Sequence, residues 1–392
     1  MNLPLNYSLR NLRRRPWQSG ATVLGIAIVV FAAVLMLSLS RGLFSRLDIT
    51  GSDSNVLMIS RKGQNAMFSE IDSAEVVAVS SMPHLAISAS GKPLVSPEIL
   101  HMAMVRAAAI ESRAKSAVTI RGVSPIAFDV HEGIRIIEGE GGRLPAEGAF
   151  EVLAGSMAHV KLGVPVEALA IGKDIRFEGV YWTVVGRFTD NNSLIESELW
   201  VPQDTLMSVM RRRTHSLVVA KFTSPTYARD ATALFRRSGV IEKFFKGRTE
   251  REYYGQFSEG LAWVFWLSVF MVCLVAVAGV LIGVNTMYTI VVNRMGEIAT
   301  HRILGFSKFD ITISLLTESV IIAMFGGLLG LAGGMYFDDM PMKLSYGAFR
   351  LSVDWLVASA GMGLAILVGA LGALLPTYKG LRLTIIEALH YE

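Results

Sequence analysis

The side chains of this chain that could do chemistry do not combine into a catalytic or metal-binding motif. Its seven histidines are dispersed and form neither HExxH nor a Cys/His cluster with metal-ligand spacing. Ser156 lacks the second glycine of a nucleophile elbow, so we expect a turn or helix-start residue there, and Glu196 and Glu198 are expected to face solvent beside a strand. The sequence lacks the GxxxxGK(S/T) loop that holds nucleotide phosphates. We therefore expect no catalytic residue, no metal and, if ATP drives the protein, a second chain that binds it.

One carboxylate interrupts a long apolar run. Glu318 is the only acidic or basic residue of Ile311–Tyr336 and lies roughly two helical turns from its start. A carboxylate within a membrane indicates a functional role, but at this depth its side chain can also extend to the membrane surface. Both interpretations stay open.

The segment just before that run mixes charged and apolar residues at helical spacing. Residues 293–310 are predicted to form a short amphipathic helix that Gly305 ends. Its charged and apolar sets are Arg294, Glu297 and Arg302, and Ile298, Ile303 and Leu304. Such a helix can dock into a cytosolic subunit or lie against lipid head groups, and these residues alone favour neither.

Four apolar runs indicate a membrane protein with lipid around it. Each is about 20 residues or longer, enough to cross a hydrocarbon core of roughly 30 Å as a helix. They are Ala21–Ser40, Leu261–Val292, Ile311–Tyr336 and Leu356–Leu375. The composition agrees, since 52% of the residues are hydrophobic and only 18% are charged.

The basic balance does not indicate a nucleic-acid partner. The net charge is +4, but the basic residues cluster beside the apolar runs and form no stripe with interleaved aromatics. Cys273, the only cysteine, lies inside the second run, so the large region between the first two runs can contain no disulfide.

Basic residues beside the runs predict the topology, because such flanks stay on the cytoplasmic side. They precede the first run, fill the loop between the second and third, and follow the fourth: Arg10, Arg13, Arg14 and Arg15; Arg294, Arg302 and Lys308; Lys379 and Arg382. Both termini and that loop are therefore predicted to be cytoplasmic. The central region is then extracytoplasmic.

The first run also has the basic flank of a signal peptide. A signal h-region is usually about 7–15 residues, whereas this run is longer and holds Gly25 four residues after Ala21, as helix-packing faces do. We expect it to stay as a membrane helix.

The central region is predicted to be a mixed α/β domain, with two subdomains as one option. Ala117–Val123 and Tyr181–Arg187 alternate and carry β-branched residues, which favours strands. Ser69–Val79 and Pro97–Ala109 look helical or mixed, and Pro225–Ser238 has the spacing of an amphipathic helix.

Small residues in the membrane runs recur at the four-residue spacing that lets helix backbones approach closely. They are Gly279, Gly283, Gly326, Gly330, Gly334, Ala365, Gly369 and Ala373. We expect these helices to pack on one another or on a second copy of the chain. Glycine is also simply commoner in membrane helices, and that alternative stays open.

Arg294, Glu297, Ile298, Leu304 and Gly305 match the pattern Arg-x-x-Glu-Ile followed by Leu-Gly. This loop resembles that of the MacB/FtsX/LolC-LolE type of ABC transporter permeases. Further matches to that family are Leu9–Arg15, Leu24–Ile26 and Leu375–Leu389 near the termini, and, in order, Ile120–Val123, Glu138–Arg143, Val152–Gly155, Gly172–Ile175, Val184–Gly186 and Trp200–Pro202 for its MacB-like periplasmic domain. The lack of a nucleotide-binding motif looks more like the DevC or LolC arrangement than MacB.

The resemblance implies a bacterial inner-membrane permease that pairs with a second permease copy, as homodimer or heterodimer, and binds a cytosolic ABC ATPase dimer. ATP and Mg would be bound by that ATPase. Closure of the ATPase dimer would be relayed to the periplasmic domain, a mechanism called mechanotransmission. The five matched loop residues would be the coupling residues. Thr300 and His301 replace the family's usual cationic residue, so the docking contacts are expected to differ. A periplasmic adaptor protein is a further partner that the family allows.

The resemblance leaves the task of the permease open. The permease could export or extract a periplasmic, lipid or lipoprotein substrate. Alternatively, it could be an FtsX-like regulator of a cell-wall hydrolase. A membrane sensor without an ATPase is a third class, which the amphipathic loop argues against.

These expectations divide the chain into nine segments. They are a cytoplasmic amphipathic helix (1–16), transmembrane helix 1 (17–42), a periplasmic α/β domain (43–258), transmembrane helix 2 (259–292), a cytoplasmic coupling loop (293–309), transmembrane helix 3 (310–336), a short periplasmic loop (337–351), transmembrane helix 4 (352–376) and a cytoplasmic tail (377–392).

Overall fold

A computed structural model describes residues 16–63, 65–108, 115–139, 141–237, 245–344 and 347–380. The cluster of arginines at residues 10–15, nearly all of the predicted N-terminal helix and the end of the tail lie outside the described residues. The described chain forms two compact units. The membrane unit contains the part up to Gly42, Ala262–Met340 and the part from Arg350, whereas the α/β unit contains Leu43–Leu261 and Pro341–Phe349.

The described residues contain helices of very different length. They are α1 Pro16–Ile49, α2 Ser73–Ser80, α3 Ala127–Val130, α4 Ala158–Leu162, α5 Gln203–Met210, α6 Pro225–Arg237, α7 Glu250–Gly260, α8 Ala262–Val292, α9 Met295–Ile303, α10 Lys308–Tyr336 and α11 Trp355–Gly380. The helix predicted over 225–238 is confirmed as α6.

Four of these helices, α1, α8, α10 and α11, are long and apolar enough to cross a membrane. The first runs to Ile49, past the predicted boundary at residue 42, because no helix breaker intervenes before Gly51, whose φ is +87°. In the membrane unit α11 packs against both α8 and α10. An apolar cluster joins α1, α10 and α11 through Ile26, Val30, Val34, Ala323, Val357, Ala365 and Val368.

The α/β unit is built around one mixed sheet. Its strands are β1 Asn55–Ser60, β2 Val95–Ala107, β3 Ser116–Val123, β4 Arg135–Ile136, β5 Glu151–Gly155, β6 Asp174–Phe177, β7 Val180–Thr189, β8 Leu199–Pro202, β9 Leu217–Lys221 and β10 Phe245–Thr249. They lie in the order β10-β1-β9-β2-β3-β8-β5-β7-β4, with β6 beside β2 and β7. The β3–β8 and β5–β7 pairs are parallel and the others antiparallel. Two further strands, β11 Pro341–Leu344 and β12 Gly347–Arg350, pair with each other.

Long strand β2 explains why no subdomain border is readable from the sequence. Its first part pairs with β9 and its later part with β3, so it belongs to both halves of the sheet. For residues 97–109, predicted to be helical or mixed, the helical alternative is wrong because Val95–Ala107 is a strand. Residues 69–79, for which the same two alternatives are open, are helical from Ser73 onward. In β2, buried Ala103 and Val105 alternate with exposed Met102 and Met104, so tertiary pairing overrides the helix propensity of Met and Ala. The strands predicted over 117–123 and 181–187 are confirmed as β3 and β7.

A buried ionic network ties the α/β unit together. Arg121, which is 1% exposed, donates from Nε and Nη2 to the two carboxylate oxygens of Glu198 at 2.6 and 2.8 Å, and from Nη1 to Glu98 Oε2 at 2.6 Å. Its Nη2 also lies 3.1 Å from the Tyr254 hydroxyl. Glu98 Oε1 lies 2.8 Å from His131 Nε2. The network therefore joins β2, β3, the start of β8 and α7.

The expectation that Glu196 and Glu198 face solvent is wrong. Glu196 is 2% exposed and accepts hydrogen bonds from the Ser156 and Thr189 hydroxyls and the Asp190 backbone N–H. Glu196 lies within the 3₁₀ turn Leu194–Ser197, and Glu198 follows directly after it. Their hydrogen-bond donors come from other parts of the fold, which a sequence pattern does not show. Ser156 itself lies in the predicted turn.

The network sets the pH range in which it stabilises the fold. Burial lowers the pKa of His131, but the charges of Glu98 and Glu250 outweigh that effect and raise it to about 10. Burial likewise raises the pKa of Glu98, but His131 and Arg121 outweigh it and lower it to about 2. The stabilisation from His131 is fully present below its unfolded pKa of 6.5 and is lost as the pH rises to about 10. That from Glu98 is present above 4.5 and is lost as the pH falls to about 2.

We predict that His131→Gln weakens the decline of thermal stability with rising pH. The wild-type Tm in detergent should fall between pH 6.5 and about 10, while the variant starts from a lower Tm and falls less, because it lacks the group that deprotonates. His101→Gln is the control, since His101 lies nearer the surface beside Glu178. Equal pH slopes for the wild type and His131→Gln would contradict the ionic role of His131.

Candidate functional site

The segment between α8 and α10 folds as a helix–turn–helix whose ends are set by local chemistry. Helix α9 starts after Arg294 and ends at Ile303, with Leu304 as its C-cap. Gly305 then adopts a φ of +92°, which a side chain would disfavour, and so ends the helix as predicted. Ser307 caps α10 through a reciprocal pair of hydrogen bonds with Asp310.

An ion pair joins this segment to the membrane helix α10. Arg294 Nη1 lies 2.8 Å from Glu318 Oε2, and Arg294 Nε lies 3.0 Å from Glu297 Oε2. The Arg294 and Glu318 side chains are 12% and 7% exposed, whereas Glu297 is 54% exposed. Glu318 is therefore largely shielded from solvent, and both interpretations of this carboxylate, a functional role and extension to the membrane surface, stay open. It is held by a residue of the preceding loop.

The partly buried position of Arg294 makes this pair hard to break. Burial lowers the pKa of Arg294, but the charges of Glu318 and Glu297 outweigh it and the pKa is raised, so the guanidinium stays charged. Removing one partner of a fully buried pair costs about 3–5 kcal/mol because the other charge is left uncompensated. Because Arg294 and Glu318 are partly exposed, we expect removal of either partner to cost less, roughly 1–3 kcal/mol.

The five matched loop residues divide into an inner and an outer set. Ile298 is buried in an apolar cluster with Met287, Ile290, Val291, Met295, Ile311, Leu315 and Ala373 from α8, α9, α10 and α11. Leu304 is 71% exposed, and its neighbour Ile303 is 63% exposed. Arg294 and Ile298 thus fix α9 to the helices, while Glu297 and Leu304 remain on the surface. Gly305 lies in the turn between the two sets.

The predicted small residues of α10 lie against α1. A Cβ added at Gly330 would be 2.5 Å from the Ala27 carbonyl oxygen, and one at Gly326 would be 2.8 Å from Val23 O. A Cβ at Gly334 would be 2.5 Å from Val34 Cγ1. No larger residue fits at these positions without moving the helices apart.

The remaining small residues lie between α8, α10 and α11, and one of them also touches α1. A Cβ at Gly283 would be 3.2 Å from Gly372 Cα, and one at Gly369 would be 2.5 Å from Ala323 Cβ. Gly279 lies beside Val29 of α1 and Val368 of α11, and Ala365 and Ala373 are fully buried. All eight residues are therefore in positions where helices of this chain approach closely.

Sequence reasoning missed the pairing partners of the charged residues. It named Arg294 and Glu318 separately, but the contact spans 24 positions and depends on the turn at Gly305. It also missed the network around Arg121. The available signal there was a lone arginine within the apolar strand segment Val118–Val123.

Two family models cover most of this chain. That of the MacB-like periplasmic core domain matches residues 19–237, and that of the FtsX-like permease C-terminal matches residues 269–385. The chain belongs to the MacB/FtsX-type ABC transporter permeases. The α/β unit is accordingly the periplasmic core domain of this permease, with four candidate membrane helices beside it in the chain.

Known proteins similar to the permease carry related names. The macrolide export ATP-binding/permease protein MacB of Bordetella avium is 25% identical over 95% of this chain and 57% of its own length. MacB of Escherichia coli is 23% identical over 99% of this chain and 60% of its own length. The uncharacterized ABC transporter permease YknZ of Bacillus subtilis strain 168 is 32% identical over 28% of each chain. The permease thus spans less than two thirds of the length of these relatives.

Two solved structures are also similar. The extracellular domain of the noncanonic ABC-type transporter YknZ from Gram-positive bacteria has a TM-score of 0.36 and 12% identity, covering 50% of this chain and 100% of that one. The periplasmic region of MacB from Actinobacillus actinomycetemcomitans has a TM-score of 0.37 and 15% identity, covering 54% and 94%.

We predict that Gly330→Ala destabilises the membrane unit and Gly363→Ala does not. A methyl group at residue 330 of α10 would clash with the backbone of α1. At Gly363, by contrast, nothing lies within 4 Å of an added Cβ. Overpacking of this kind costs about 1–3 kcal/mol. Thermal unfolding in detergent measures the difference, and an equal Tm for the two variants would contradict the close approach of α10 to α1.

Proposed function

We propose that the permease couples ATP hydrolysis by a separate cytosolic ABC ATPase dimer to motion of its periplasmic core domain, by mechanotransmission. The observation that carries this proposal is the Arg294–Glu318 ion pair, which fixes the surface helix α9 to the membrane helix α10. The MacB relatives are named as ATP-binding/permease proteins, which supports an ATPase partner for a chain with no phosphate-binding loop in its sequence. The permease itself is then non-catalytic, and ATP and Mg bind to the partner.

The contacts within the chain supply a path for such motion. Displacement of α9 would pull on α10 through Arg294 and Glu318. Helix α10 packs on α1 at Gly326, Gly330 and Gly334, so the two helices have little room to slide independently. Helix α1 is continuous from Pro16 to Ile49, and its residues from Leu43 onward belong to the α/β unit. We propose that displacement passes along this helix to its residues from Leu43 onward.

The surface of α9 fits docking in a cytosolic subunit better than contact with lipid alone. Leu304 and Ile303 offer exposed apolar groups, and Glu297 offers an exposed carboxylate that accepts from Arg294. Apolar anchors ringed by charge are typical of the centre of a protein interface. The substrate class we propose is a periplasmic, lipid or lipoprotein molecule that is exported or extracted, with a periplasmic adaptor as a further partner.

A second copy of the permease, identical or related, fits the outer face of α8. This helix exposes a row of large apolar side chains, comprising Trp263, Trp266, Phe270, Leu274, Val277 and Leu281. Only 17% of its most apolar segment is buried within the chain, against 44% for α1 and α10. We infer that lipid and the second copy share this face.

The proposed topology places both termini and α9 in the cytoplasm and the core domain in the periplasm, in a bacterial inner membrane. We predict that a cysteine introduced at Gly148 reacts with a membrane-impermeant thiol reagent added to intact spheroplasts. One at Ser307 should react only after the membrane is opened. Cys273→Ser serves as the background. The reverse labelling pattern would overturn this topology.

We predict that Leu304→Ala and Glu297→Lys weaken ATPase binding roughly tenfold each without preventing membrane insertion. Truncation of an interface anchor costs on the order of 1–2 kcal/mol, and a tenfold change corresponds to about 1.4 kcal/mol. Co-purification of the ATPase with the tagged permease, followed by titration of ATPase activity, measures the effect.

Glu147→Lys is the matched control, because Glu147 is an exposed carboxylate of the core domain that should not contact the ATPase. Unchanged ATPase binding by both loop variants would contradict docking through α9. Recovery of the wild-type permease without any ATPase would contradict the proposed function as a whole.

A further inference from the structure

A polar cavity of about 470 Å³ opens within the α/β unit. Four chain segments surround it: residues 51–55 after α1, residues 131–133 after α3, residues 190–191 after β7, and residues 250–251 at the start of α7. This volume is in the range of small-molecule sites, which are roughly 300–1,000 Å³.

The charged lining of this cavity is mainly acidic. It contains four carboxyl groups and two cations, namely Asp53, Glu132, Asp190 and Glu250, with His131 and Arg251. Each cation already has a carboxylate partner, since Arg251 Nε lies 3.4 Å from Asp53 Oδ2 and His131 is shared between Glu250 and Glu98. The lining thus has few donors left over.

Asp190 forms no direct ion pair with a described residue, although the charge of His131 acts on it. Its carboxylate accepts a hydrogen bond from the Ser193 hydroxyl at 2.5 Å. Burial raises the pKa of Asp190, and the charges of Glu250 and Glu196 add to this effect, while the Ser193 hydrogen bond and the charge of His131 only partly oppose it. The carboxylate lies against Gly133, where any Cβ would overlap its Oδ1. The absence of a side chain at Gly133 therefore leaves the space that this carboxylate occupies.

Asn55 adds an acceptor that lacks a donor. It lines the cavity and is 1% exposed. Its Nδ2 donates to Glu250 Oε2 at 2.9 Å and to Val130 O at 3.2 Å, which fixes the orientation of the amide. Within the described part of the chain its Oδ1 has no hydrogen-bond partner. Such a buried acceptor without a donor costs roughly 1–3 kcal/mol unless something supplies one.

We propose that this cavity binds a small organic cation, with an ammonium or guanidinium group that donates to Asp190 and Asn55. Such a group supplies both the charge and the donors that the lining lacks. A metal ion fits less well, because the described residues contain no group of three or more His, Cys, Asp or Glu side chains placed to hold one. The proposal does not depend on ATPase coupling, because binding is measured on the permease alone.

Isothermal titration of the full chain in detergent with cadaverine tests this site, at roughly 0.15 M ionic strength to screen loose surface association. The neutral probe of equal length is 1,5-pentanediol. We expect saturable binding of cadaverine and none of the diol. Asp190→Asn removes the charge with little change of shape and should weaken binding at least about tenfold. Gly133→Ala keeps every charge but displaces the carboxylate, and should weaken binding as well.

Glu147→Gln is the matched control, since it removes an exposed carboxylate away from the cavity and should leave the affinity unchanged. A thermal unfolding scan shows whether each variant is folded. If Asp190→Asn is not folded, the affinity of Gly133→Ala tests the proposal instead. Three results would overturn the proposal: no saturable binding of cadaverine, equal binding of the diol, or equal weakening by Glu147→Gln. Wild-type affinity in a folded Asp190→Asn or Gly133→Ala variant would overturn it too.

Discussion

The ion pair between Arg294 and Glu318 is the interaction that fixes the surface helix α9 to the membrane helix α10. A carboxylate in an apolar helix is costly unless a cation is held beside it. The chain meets this requirement with a residue of the preceding loop, which the turn at Gly305 brings back onto α10. The same contact that stabilises the carboxylate therefore also fixes the position of α9. In the proposed mechanism, the position of α9 and the coupling to a cytosolic ATPase would both depend on this one pair of side chains.

The close approach of the helices connects this ion pair to α1 through α10. Where Gly326 and Gly330 meet α1, a Cβ would lie within 3 Å of backbone atoms of α1, so the two helices have little room to move independently. In the proposed mechanism, a shift of α10 would therefore be passed on to α1. The α/β unit has rigid internal connections of its own, because Arg121 links strands and α7 through buried charges. Little deformation within this unit is what the proposed mechanotransmission would require.

The sequence predicted the parts of this structure that depend on local pattern. Apolar length predicted the four membrane helices, and alternation predicted β3 and β7. The charged and apolar sets in residues 293–310, with Gly305 after them, predicted α9 and its end. The loop residues that suggested the family belong to a region that the FtsX-like permease model matches.

The parts that failed depend on contacts between residues far apart in the chain. β2 looked helical because Leu, Met and Ala favour helices, yet pairing with β3 and β9 decided its conformation. Glu196 and Glu198 looked like surface residues because their donors come from other segments, such as Arg121 for Glu198. Nothing local to Glu318 indicates that Arg294 is its partner. Each of these features could be predicted only from the position of a second element in the tertiary structure.

We propose that the Arg294–Glu318 pair transmits displacement from α9 to α10, and that it does more than stabilise the membrane unit. The most direct measurement is stimulation of the partner ATPase by Arg294→Glu, by Glu318→Arg and by the double variant with the charges exchanged, each reconstituted in lipid. The account predicts that each single variant loses most of the stimulation while still binding the ATPase, and that the exchanged pair recovers a substantial part of it. Full stimulation in either single variant, or a double variant as impaired as the two single losses combined, would contradict it.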